Sequence, residues 1–352
     1  MDTETAVNRK HLSVALIIAV ILTISGLFLM FASIFVINDV LEGFIGDPWY
    51  LYHQGYLNSQ ETYRIMVEAI KPIGYICFLL ILGLILIGVI LRRYKISLLG
   101  SYALYLPLLG QFSFAMVALF AGIGVTRIVW VPIYNIEPEL LNLAAIILLP
   151  LGIGNGLAEL GIGGETISGL GYMLTIFSML LLTLLGGFIF VFGVVTWVYG
   201  KLQKRSIINF WIYRYSRHPQ YLGLILSNYG LLFWSLTGFN IRPSLPTLPW
   251  LVVTFIILGL AITEENNLIR ENNEEYITWR TKTPFLTPLP RALTSVILFP
   301  TRMVLKKEWP ENNREIILIL IIYGVILILS SLPWMAGLTG EMDYLYYLIP
   351  HS

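Results

Sequence analysis

Tyr213-Arg214-Tyr215-Ser216-Arg217-His218-Pro219-Gln220-Tyr221-Leu222-Gly223 joins the basic end of one long apolar segment to the start of the next. Arg217, His218 and Pro219 thus fall at a membrane boundary, where ionisable groups are costly and are usually kept for function. Pro219 suits the first turn of a helix, because the proton it lacks would have no intrahelical partner there. The next residues offer free backbone N–H groups at the positive end of a helix dipole, flanked by a guanidinium and an imidazole. That combination suits an anion such as a carboxylate or phosphate. The same residues would equally serve as a positive-inside anchor with a helix-starting proline.

Composition sets the class around this stretch. The chain has 57% hydrophobic and 12% charged residues, where soluble domains carry about 25% charged. Its mean hydropathy is +0.77. These values predict a polytopic membrane protein and exclude an ordinary soluble globule. A net charge of +1 without a long basic tract gives no sign of nucleic acid. Cys77 is the single cysteine, which excludes disulfides and cysteine-based metal sites, and no metal site is expected elsewhere.

Working outward, apolar runs predict spans at about 12–37, 72–91, 97–121, 172–199, 220–238, 250–262 and 315–332. Leu140–Leu151 is too short to cross and reads as a re-entrant or interfacial piece; the glycine-rich text at 151–163 reads as turns. Residues 38–70 form an outer loop, and 291–305 an amphipathic or shallow piece. With this layout all of the 22 Lys and Arg except Arg64, Lys71, Arg127 and Arg242 face one side. The fold expected is therefore an all-α transmembrane bundle of about seven spans, N-terminus cytoplasmic and C-terminus outside. Gly186, Gly193 and Gly200 lie on one helix stripe, suited to close packing of another helix or a flat ligand.

The hairpin 220–262 returns Glu264-Glu265 to the edge where Arg217, His218 and Pro219 begin. A helix N-terminus with two cations and a pair of carboxylates would then share one pocket, matched to a zwitterionic ligand. Glu264-Glu265 could also be a solvated helix end paired with Arg280 or Lys282.

Tyr213-Arg-Tyr-x-Arg217-His218-Pro219-x-Tyr221-x-Gly223, then Glu264-Glu265-x-x-Leu268, then Glu274-Glu275-Tyr276-x-x-Trp279-Arg280 with Pro284, resembles the isoprenylcysteine carboxyl methyltransferase and phospholipid methyltransferase superfamily. The likeness covers about residues 172–290, a membrane core between residues 1–171, with no assigned role, and a C-terminal part 291–352. It implies a helical methyltransferase that binds S-adenosylmethionine at the cytoplasmic edge of a membrane. Arg217, His218, Pro219, Tyr221 and Gly223 would line the cofactor site, and Glu264 and Glu265 would complete it. Departures exist: Trp211-Ile212 stands where the family has Gly-Pro, Asn273 where it has Gly, and Trp279 where Tyr is common. Asn tolerates a left-handed backbone, so a turn at 273 is expected to survive.

Methyl transfer from a sulfonium needs alignment and exclusion of water more than charge. The acceptor implied is a lipid or lipidated molecule, an isoprenylcysteine-like carboxylate or a phospholipid amine. A carboxylate needs no base; for an amine, Glu265 and Tyr276 are the candidate bases, and Arg280 could hold an anionic acceptor. The setting implied is the prokaryotic cell membrane with the site on its cytoplasmic face. An NADPH-dependent membrane reductase of the sterol type is the alternative, opposed by Glu264-Glu265 and by the lack of a further basic cluster. A non-catalytic membrane scaffold is another.

Overall fold

The computed structural model describes residues 8–21, 23–25, 59–109, 131–136, 140, 143–148, 164–232 and 247–348. Every long element among these residues is helical: α1 (residues 9–21), α2 (Ser59–Ile90), α3 (Tyr94–Leu109), α4 (Val131–Ile136), α5 (Gly164–Leu202), α6 (Pro219–Leu232), α7 (Thr247–Lys282), α8 (Arg291–Leu305) and α9 (Asn313–Leu348). Short 3₁₀ turns occupy Ala145–Leu148 and Trp211–Arg214. No strand occurs among the described residues.

Among the described residues, three stretches are long and apolar enough to cross a membrane: Ile176–Leu202, Thr247–Glu271 and Asn313–Pro333. Gly74–Ile90 and Ala292–Leu305 are shorter apolar helices. Large apolar side chains point outward along these helices, among them Leu184, Phe188, Ile321 and Leu329. Water would not tolerate such a surface, whereas hydrocarbon does; the helices satisfy their backbone groups internally, as a bilayer requires. Membrane character therefore follows from the fold as well as from composition.

Several boundaries differ from those expected. Helix α2 begins at Ser59, so residues 59–70 belong to a helix and not to an outer loop. Helix α7 does not stop at Glu264-Glu265 but continues to Lys282, and it passes through Asn273 without a turn. No Gly or Pro interrupts 264–282, and the Glu265 charge that would have favoured an exit into water is matched by cations. The helix ends where Pro284 constrains Thr283; Thr283 N–H makes its last bond, to the Trp279 carbonyl at 3.0 Å. The amphipathic piece is a helix at the expected bounds, Arg291–Leu305, closed by Lys306 in the left-handed region at φ 55°. Expectations at 26–58, 110–130, 149–163 and 233–246, including half of the first span and the glycine-rich turns, lie outside the described residues.

The chain divides into two compact units. One comprises residues 34–180, 231–256 and 320–352. Within it Ser97 donates to the Ile85 carbonyl at 2.7 Å, tying α3 to α2, and Thr247 donates to the Leu143 carbonyl at 2.7 Å. Ser331 accepts from the Ile146 N–H at 3.0 Å.

The other unit comprises residues 1–33, 181–230 and 257–319. Here α1 buries Ala15 and Ala19 against Val195, Val198 and Tyr199 of α5. The α5–α6 crossing depends on glycine: a Cβ on Gly223 would lie 2.5 Å from the Phe190 nitrogen and 2.6 Å from the Gly186 carbonyl. A Cβ on Gly186 would collide with the Ser227 backbone, and one on Gly193 would sit 3.0 Å from Gln220. The small-residue stripe of α5 is thus a helix-packing face.

Candidate functional site

Helix α6 starts at Pro219, with His218 as its cap: the His218 carbonyl accepts the Leu222 N–H at 3.0 Å, and the His218 N–H donates to Ser216 Oγ at 3.2 Å. One residue earlier, Arg217 N–H donates to the Pro284 carbonyl at 3.0 Å. This bond fastens the start of α6 to the residues just beyond α7. Arg217 and His218 are thereby held beside α7.

The contact they make is with Glu265, which is fully buried. Arg217 Nη1 lies 3.0 Å from Glu265 Oε2, His218 Nε2 3.1 Å from Oε1, and Arg280 Nε 3.3 Å from Oε2. Arg217 and His218 are 8% and 6% exposed, so this is an interior ion cluster and not a surface pair. Two guanidiniums share one carboxylate, which leaves a surplus positive charge. Burial pulls the Arg217 guanidinium below its ordinary value while Glu265 opposes that pull; arginine nevertheless stays charged. Its Nε is buried without a hydrogen-bond partner.

Aromatic rings enclose the cations. Phe285 stands edge-on to His218 at 5.1 Å, and its ring centroid is 5.6 Å from Arg217 Cζ. Trp309 lies 4.6 Å from Arg280 Cζ and 5.7 Å from Arg217 Cζ. Tyr221 stacks on His218 at 5.5 Å and donates its hydroxyl to Glu264 Oε1 at 2.8 Å. Glu264 is partly exposed, so the two neighbouring carboxylates have different surroundings. Tyr276, 1% exposed, places its hydroxyl beside the Arg217 guanidinium without the alignment of a full hydrogen bond. Burial, and then Glu265, push its phenol above the usual range.

The expected residues therefore separate. Arg217, His218, Glu265 and Arg280 come together with Tyr276 beside them, and Tyr221 with Glu264 forms a second pair. Pro219 and Gly223 do not point there; they pack against α5, at Gly193 and at Phe190. Trp279, with its Nε1 buried and unpartnered, meets Tyr276 edge-on at 5.5 Å. Tyr213 donates to Gln220 at 2.7 Å, which in turn donates to the Gly193 carbonyl at 3.4 Å, linking the 3₁₀ turn to α6 and α5.

Ser216, Phe285 and Trp309 are parts of this arrangement that sequence reasoning missed. The available signal for Trp309 was a lone tryptophan inside the polar run Lys306-Lys307-Glu308-Trp309-Pro310-Glu311. Trp211 adopts φ 48°. This left-handed position is filled by a side chain that stacks on Tyr199 at 4.9 Å.

Fold and site together define a helical membrane protein with a buried Arg–His–Glu–Arg cluster between the start of α6 and the middle of α7. No protein-family model, no curated protein and no solved structure matches the chain.

Proposed function

We propose that the chain is an S-adenosylmethionine-dependent membrane methyltransferase acting on a lipid or lipidated acceptor. The observation that carries this proposal is the Glu265 cluster: the start of α6 and the inner face of α7 meet around a buried carboxylate holding three basic side chains. Burying that many ionisable groups is costly, and such a cost is met more often at functional sites than in ordinary packing. The setting proposed is a bundle of about seven spans in a prokaryotic cell membrane, N-terminus and site cytoplasmic, C-terminus outside.

The residues present fit the cofactor. Its carboxylate would find the surplus positive charge of Arg217 and Arg280; its cationic end would find Glu264, oriented by Tyr221. When bound, the cofactor supplies an electrophilic methyl group on a sulfonium. Glu265 acts by fixing the two guanidiniums and the imidazole in place. Phe285 and Trp309 keep water from the cations, which strengthens their pull on an anionic group.

The acceptor would supply the lone pair for that methyl group and the carbon–sulfur electron pair would stay on sulfur, so the residues here have only to bind, align and shield the reactants. A carboxylate acceptor becomes a neutral ester with no proton to remove. An amine must lose a proton, and neither candidate base is well set for it: Glu265 is saturated by cations, and Tyr276 is held protonated by burial. The arrangement favours a carboxylate acceptor.

The test is transfer of radiolabelled methyl from S-adenosylmethionine to a prenylated cysteine peptide and, separately, to a phospholipid extract. Label that enters the organic phase and is released by mild alkali as volatile methanol identifies a methyl ester. Label that alkali leaves non-volatile identifies an amine and would overturn the carboxylate preference. No incorporation into either, with protein that is folded, favours the scaffold reading, in which the same cluster serves only to lock α6 onto α7.

A further inference from the structure

Residues 306–312, outside the stretch that carries the resemblance, reach the centre of the candidate site. The segment is tightly built. Lys306 turns the chain out of α8 in the left-handed conformation, and Arg302 pairs with Glu308 at 2.7 Å. Lys307 meets both Glu311 and Glu315 at 2.9 Å. Asn312 Oδ1 caps α9 by accepting the Glu315 N–H at 3.0 Å, and Glu315 accepts the Glu311 N–H at 2.8 Å. In the middle, the buried Pro310 accepts from Asn266 Nδ2 at 3.1 Å, one residue from Glu265.

These anchors present Trp309 to the ion cluster. Its ring lies 4.6 Å from Arg280 Cζ, 5.7 Å from Arg217 Cζ and 5.0 Å from Phe285. Its Nε1 is buried without a partner, so the contact is made by the ring face and not by the N–H. Both guanidiniums converge on the same Glu265 oxygen, where their mutual repulsion would drive Arg280, the more exposed at 24%, toward water. An aromatic face offers a cation partial compensation without a competing negative charge.

We propose that Trp309 is a positioning residue that holds Arg280, and with it Arg217, on Glu265, so that segment 306–312 is an integral wall of the site. Its consequence for ligand binding rests on the methyltransferase reading; its structural core does not.

Two measurements separate them. The first is modification of Arg280 by phenylglyoxal in the full-length, detergent-purified protein, followed by peptide mass spectrometry. Trp309→Leu should raise the rate about tenfold, while Trp309→Phe, which keeps a ring face, should stay near wild type. Equal protection in all three proteins would overturn the proposal, as would equal loss in both variants. If Trp309→Leu does not accumulate, Asn266→Ala frees the Pro310 carbonyl and must also raise Arg280 modification; unchanged protection refutes the assignment.

The second measurement is equilibrium binding of S-adenosylmethionine. Loss of affinity of about tenfold in Trp309→Leu, restored in Trp309→Phe, supports the positioning role. Wild-type affinity in a Trp309→Leu protein whose Arg280 is exposed would contradict it. Failure of the wild type itself to bind would sink the cofactor reading and leave the arginine-reactivity result to decide on Trp309.

Discussion

Glu265→Gln is the substitution from which the most can be worked out. The amide matches the carboxylate in volume, so no cavity opens and the lost charge dominates. A fully buried acceptor of Arg217 at 3.0 Å, His218 at 3.1 Å and Arg280 at 3.3 Å becomes half donor, and two guanidiniums lose their counter-charge. Removing one partner from a buried ion pair costs about 3–5 kcal/mol. Arg280, 24% exposed, can relax toward solvent, which places the expectation near the lower limit, about 3 kcal/mol. For a chain of 352 residues an unfolding entropy of about 2.1 cal/mol/K per residue corresponds to about 1.4 °C per kcal/mol, so the melting temperature should fall by about 4 °C. Tryptophan fluorescence during heating of the detergent-purified protein, at one fixed scan rate, reads this directly. Adding Arg280→Gln to the variant should recover part of the loss, with a coupling of about 1–2 kcal/mol. A melting temperature within about 2 °C of wild type would mean that the cluster is solvated, and the reasoning would fail.

Three further outcomes follow from other parts of the fold. Gly223→Ala must push its methyl against backbone atoms of α5 that cannot rotate away, destabilising by about 1–3 kcal/mol, whereas Gly187→Ala, whose nearest neighbour is Ser227 Oγ at 4.0 Å, should be neutral or slightly stabilising; equal melting temperatures for the pair would refute the crossing. Trp211→Gly relieves a left-handed backbone worth about 1 kcal/mol but forfeits the rings of Tyr199 and Phe210, so the net change should be a lower melting temperature; a rise would show that strain wins. Because burial raises the Tyr276 phenol, its contribution is complete below about pH 10 and is lost as pH rises toward and through the folded value. Tyr276→Phe should therefore make the fall of melting temperature between about pH 9 and about pH 11 shallower than in wild type, and identical slopes would contradict the assignment.

The parts of this molecule legible in the sequence are those encoded locally. Pro219 starts α6 because its ring fits only a first turn, and the 291–305 helix reads directly from its apolar period. The end of α7 was not legible. Glu264-Glu265 looks like a helix emerging into water, and only partners distant in sequence, Arg217 and His218, make it an interior position. The same distance hides Trp309, whose role depends on the turn at Lys306 and on the Asn266 bond to Pro310. Gly223 illustrates the converse: its place in the motif is readable, but its missing side chain serves the contact with α5 and not the ion cluster.

The central claim, that the Arg217–His218–Glu265–Arg280 cluster is a cofactor site, is tested most directly by equilibrium binding of radiolabelled S-adenosylmethionine to the purified full-length protein. His218→Ala and Glu265→Gln are compared beside the wild type, with NADPH as competitor. Saturable wild-type binding that is lost in both variants and indifferent to NADPH is the predicted result. Absence of binding to folded wild-type protein, or displacement by NADPH, would contradict the account and leave the cluster as an internal lock or a reductase site.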